Sequence, residues 1–293
     1  MLKVIDDSCF TAIANTIRSK TGSTAGLTPA DVASEIGSKL DSKAIMLDEK
    51  CYGFEILYNE SNPSDAVVYR DDNADYTPAR MNFTTGVFSY GDWNPSDFFF
   101  SKPCMVTDDG TVDYYLDPDD CTKKLDGSPS DVGDATYSGN AMVEFGGAKK
   151  IYISRQFTNE KQIVRIANYK VDSTFSLASN FKNEKGQELD SFQTAMYESC
   201  EVGGTLRSLS GKTVATGYTL QESNDMISNN GANWFNIMAE DVTLVLLLSI
   251  LISKTLDVQS AFGKGNVSSG AKIQTGTMNT KGMFYGSNDV LVV

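Results

Sequence analysis

With 293 residues, 41% of them hydrophobic and 22% charged, the chain can bury a substantial core and is long enough for one large domain or two ordinary ones. Its formal charge of −13 is spread along the sequence, which excludes the clustered Lys and Arg that binding to a nucleic-acid backbone requires. Histidine is absent, and with it go Ser-His-Asp and Cys-His triads, histidine zinc sites and histidine acid–base catalysis.

The first residues, MLKVIDDSCF, carry no apolar run of signal-peptide type. Phe10, Ile13, Ala14 and Ile17 then fall on one helical face, and Gly22 is placed to end that helix. Thr28, Pro29 and Asp31 start a second helix with Val32, Ile36 and Leu40 as its stripe. Residues 1–42 therefore read as a helical hairpin with too little core of its own. Phe10, Ile13, Ile17, Leu27, Val32 and Ile36 are expected to form an assembly surface covered by other chains.

From Lys43 the pattern becomes strand-like, giving a connector over 43–90 and a distal domain over 91–293. YGFEILY, AVVYR, MNFTTGVFSY and SKPCMVTDDGTVDYYL are rich in aromatic and β-branched residues, and Asp108–Asp109–Gly110 marks a hairpin turn. The acidic stretch from Asp117 to Asp134 suits calcium in its oxygen content, but it lacks the EF-hand pattern, and Asp is common in turns for its own reasons. Turns are the expectation, with no metal site and no cofactor. Strands resume at AMVEF, KKIYISRQF, KQIVRIANYKV and TFSL, and a loop-rich segment follows Ser191.

NNGANWFN sets an aromatic among amides, the composition of sugar-binding surfaces and of adaptable paratopes. Asn230, Asn233, Trp234 and Asn236 are therefore candidate ligand contacts; the competing reading packs Trp234 into the core just before a helix. That helix is VTLVLLLSILI, Val242 to Ile252, shorter than the roughly 20 residues of a membrane span. Glu240 and Asp241 before it and Lys254 after it suit the helix dipole of a buried core helix. Strands early and the longest helix late predict an α+β fold.

The five cysteines, Cys9, Cys51, Cys104, Cys121 and Cys200, form no CxxC pair and are odd in number, which points to buried thiols in a reducing cytoplasm. FGKGNVSSG and GGTLRSLSGK lack the Gly-Lys-Ser/Thr ending or context of a phosphate loop. A glycosidase needs only two carboxylates, and 38 acids leave that pair unassigned.

FTAIANTIRSKTG followed by LTPADVASEI resembles the short N-terminal helical module of bacteriophage and prophage tail and baseplate proteins. WNPSDFFF, GTVDYYLDPDD, KKLDG with SPSDV, GNAMVEF, IYISR, GQELDSFQTAMYES, LRSLSG and KGMFYGSND extend the likeness over most of residues 80–289. The resemblance implies a C-type-lectin-like distal domain behind the hairpin. It further implies a non-enzymatic structural or adhesion subunit of the virion tail, made in the host cytoplasm. Its partners would be copies of itself, other tail or baseplate proteins and a host cell-surface glycan or protein, with no nucleic acid and no membrane insertion. The alternatives are a carboxylate-based tail glycoside hydrolase and a purely structural tail subunit.

Overall fold

The strand runs pair into antiparallel sheets in the computed structural model, which describes residues 49–263 apart from 86, 95–100, 148 and 184. The hairpin expected over 1–42, with Phe10, Ile13, Ile17, Leu27, Val32 and Ile36, lies outside the described residues.

β1 (Cys51–Leu57) and β2 (Val67–Asp71) come first, then a small hairpin of β3 (Arg80–Asn82) and β4 (Val87–Ser89). β5 (Lys102–Thr107) and β6 (Val112–Tyr115) are joined by the expected turn, in which Gly110 takes φ +85° and its N–H donates to Thr107 O at 2.8 Å. β7 (Gly139–Gly146), β8 (Tyr152–Phe157), β9 (Lys161–Ala167), β10 (Ser176–Leu177) and β11 (Ser191–Ala195) follow. β12 (Ser199–Val202) and β13 (Thr205–Ser208) close a two-stranded hairpin. Its turn residues Gly203 and Gly204 have φ +58° and +81°, the left-handed pair that a two-residue hairpin demands, so GGTLRSLSGK opens on a turn.

One sheet runs β10-β8-β9-β1-β2, so the stretch read as a connector supplies two of its five strands; the other runs β11-β7-β5-β6. β1 alternates between faces as a strand should: Tyr52 and Phe54 enter the core, while Gly53, covered by Arg70 and Asp71, and the half-buried Glu55 lie on the opposite face. β7 is buried along its whole length, which is why AMVEF is nearly continuous in apolar residues. Ala141, Val143 and Phe145 join the main core, and Met142 joins a second cluster on the opposite face with Cys104 and Val106. Aromatic contacts knit the core: Phe145 stacks on Phe192 at 5.1 Å, and Trp93 sits edge-on to Tyr52 and Tyr76, each at 5.1 Å.

Three α-helices are described, α1 (Leu220–Ser228), α2 (Ala239–Ser253) and α3 (Val258–Phe262). α2 contains the helix read at Val242–Ile252 and buries Leu244, Leu247, Leu248 and Leu251, though Leu246 remains 43% exposed. Its C-terminal end is held by cations and backbone: Arg80 donates to Ser253 O, Ala79 N donates to Ile252 O at 2.8 Å, and Lys254 adopts φ +50°.

The expected fold class, α+β with a helical hairpin leading into a C-type-lectin-like domain, requires correction. Among the described residues strand outweighs helix, all of the pairing is antiparallel, and every described α-helix comes after residue 219. The reason lies beyond Ser191, where SFQTA, SCEV and TLRS are strands of four or five residues with only one or two apolar side chains buried or half-buried in each. So short a pattern is easily taken for loop.

Candidate interaction ridge

The passage between α1 and α2 is pinned at its base by amide and indole. Asn230 is buried; its Nδ2 donates to Leu206 O at 2.9 Å and Ile227 O at 3.0 Å, and its Oδ1 accepts from Asn140 Nδ2 at 3.1 Å. Gly231 has φ +141°, and a Cβ there would lie 2.5 Å from Asp108 O, so only glycine lets the chain pass so close to the β5–β6 turn. Trp234 lies half-buried on the Cys104–Val106–Met142 cluster, and its Nε1 donates to the same Asp108 O at 2.8 Å. Burial in that cluster pushes the Cys104 thiol up to about 12. Asp108 is itself fixed, its carboxylate 3.2 Å from Arg207 Nη1 and accepting from Ser138 Oγ at 2.6 Å.

Above this base the side chains face water. Phe235 is 69% exposed, and Ile237 and Met238 are each 52% exposed. The chain then enters α2, which exposes Ala239 and Leu246 at i and i+7 with Val242 half-buried between them at i+3. The result is an apolar ridge from Phe235 to Leu246. α1 borders it: Asn236 Nδ2 donates to Asn224 Oδ1, and Leu220, one turn before Asn224 and on the same face, is 73% exposed. Soluble proteins expose single apolar residues freely, but a run of large ones on a pinned loop marks a contact surface.

The four residues singled out from the sequence thus separate. Asn230 is a buried anchor, Trp234 a half-buried one, Asn236 is half-buried against Asn224, and Asn233 is exposed. Sequence reasoning missed Phe235, Ile237, Met238, Leu220 and Leu246. One signal was available: Thr219 and Glu222 form a capping box, with Thr219 N donating to Glu222 at 2.7 Å and Glu222 N to Thr219 Oγ1 at 3.2 Å. Those bonds from Thr219 hold the Glu222 carboxyl below its usual range and place a helix where loop was read.

Comparisons with known proteins add no identity. No protein family, curated protein or solved structure matches the chain. The likeness to phage tail proteins therefore rests on the sequence motifs.

The other acidic features are occupied. In the 117–134 loop, Asp117, Asp120, Asp126 and Asp134 each accept a backbone N–H two residues on, at 2.8, 3.2, 2.9 and 2.8 Å. These are Asx turns. Among the described residues no group of three His, Cys, Asp or Glu side chains is placed to hold a metal ion. On the outer face of the five-stranded sheet, Glu55 lies between Arg70 (3.2 Å) and Lys161 (2.7 Å), and Asp71 between Arg70 (3.0 Å) and Arg165 (3.2 Å). Glu144, buried on β7, accepts from Tyr115 Oη at 2.7 Å and Ser191 Oγ at 2.9 Å.

Proposed function

We propose that this chain is a non-enzymatic binding subunit of a bacteriophage tail or baseplate, and that it holds its surface partner through the ridge from Phe235 to Leu246. The sequence motifs carry the tail assignment. The binding role is carried by one observation: Trp234 is tied down to Asp108 while its neighbour Phe235 is left 69% exposed. A loop fixed by its base and apolar at its crest loses little entropy on contact, which favours association. Copies of the subunit on one virion would raise the avidity of a weak single contact.

The test is to incubate the purified protein with host cell walls and follow both retention and released fragments. Retention without fragments is the expected result. Fragment release that disappears when one carboxylate is substituted would replace binding with tail glycoside hydrolysis. Absence of retention under multivalent display would leave a purely structural subunit.

A further inference from the structure

We infer that the ridge takes a protein partner whose contact surface is apolar at its centre and rimmed by lysine or arginine; this rests on the binding role proposed above. The ridge crest is hydrocarbon. The side chains of Phe235, Ile237, Met238 and Leu246 offer a saccharide no hydrogen bond, and the amides of Asn229, Asn230 and Asn236 are already bonded to Gly204 O, to Leu206 O and Ile227 O, and to Asn224, with Asn233 exposed beside them. Sugar recognition needs such groups free beside an aromatic face.

Charge narrows the class further. From Thr213 to Ser253 the sequence holds no Lys or Arg, yet it holds Glu222, Asp225, Glu240 and Asp241. Three of these accept only from neutral donors: Glu222 from Thr219, Asp225 from Gln221, and Asp241 from Asn180 and the Met238 N–H. Among the described residues none of the four is in an ion pair. An apolar crest flanked in sequence by acids that make no ion pair among the described residues complements a surface of opposite sign. A second copy facing it across a two-fold axis would bring acid to acid, and an anionic bilayer would do the same.

The experiment titrates the full chain against three probes: an amphipathic Leu/Lys helical peptide, its Leu/Glu counterpart, and vesicles of anionic lipid. The wild type is compared with F235S/I237S and with E240Q, each checked for an unchanged melting temperature, and sedimentation reports self-association. The cationic peptide alone should bind. F235S/I237S should weaken it about tenfold or more, as loss of two buried apolar contacts implies. E240Q should weaken it less and flatten its salt dependence. Equal binding of the cationic peptide by wild type and F235S/I237S would overturn the inference, as would equal binding of the Leu/Glu peptide or the vesicles. A wild-type dimer lost in F235S/I237S would identify a second copy as the occupant. If F235S/I237S still abolishes retention on host cell walls while the peptides bind both proteins alike, the binding role stands and the partner class falls.

Discussion

Asn140 and Asn230 meet side chain to side chain at 3.1 Å, both buried, 90 residues apart in sequence. Through this contact β7, the most buried strand, fixes the base of the ridge. Asn140 also accepts from Ser208 N at 2.9 Å, so one amide ties β7, β13 and the α1–α2 passage together. Replacing Asn230 with Ala would strand Asn140 Nδ2 and the Leu206 carbonyl in a site closed to water. Asn230→Ala should cost about 1–3 kcal/mol or more, read as a shift in the urea midpoint.

α2 gives a contrast within one helix. Leu248 is fully buried and Leu246 is 43% exposed. Leu248→Ala should destabilise by about 2–5 kcal/mol through lost burial and a cavity. Leu246→Ala should stay within about 0.5 kcal/mol, as expected at a surface position. Equal costs would contradict the placement of α2.

Legibility from sequence followed length and period. The β1, β2, β5–β6, β7, β8 and β9 runs are long enough for their alternation to show, and the apolar density of VTLVLLLSILI announced α2. β11–β13 stayed hidden because Gln193, Glu201 and Arg207 dilute the apolar pattern of short strands, and β11 takes its pairing from the distant β7. At the site, Trp234 and the asparagines were visible by composition. Which of them anchor and which face water is decided by Asp108, Asn140 and Leu206, contacts that no local pattern encodes.

The Asx-turn carboxyls set an acid limit on stability. Hydrogen bonds from Ser128 hold the Asp126 carboxyl, and those from Thr136 hold the Asp134 carboxyl, below the ordinary carboxylate range. A group whose folded pKa is depressed adds stability that is present above its unfolded pKa and lost as pH falls through the folded one. The urea midpoint should therefore be flat near neutrality and fall once pH drops below about 4. Asp126→Asn, which keeps the turn acceptor, should hold stability at neutral pH and weaken the acid dependence. Added calcium should leave the melting temperature unchanged.

The thiols give an accessibility test. Cys51, Cys104, Cys121 and Cys200 are buried, and burial raises Cys51 to about 11 and Cys104 to about 12. All four should resist a thiol reagent in the native protein near neutral pH and react on unfolding. Because these pKa values are raised on folding, their contribution is complete below the ordinary thiol pKa and declines as pH rises past it. Rapid native labelling of Cys104 would contradict the packing beneath Trp234.

The most direct measurement of the binding role is cosedimentation of the full chain, displayed multivalently, with host cells, comparing wild type with F235S/I237S. Both substituted residues are exposed, so the fold and its melting temperature should survive. The account predicts that wild type sediments with the cells and the double variant stays in solution. Equal sedimentation of the two proteins would contradict it.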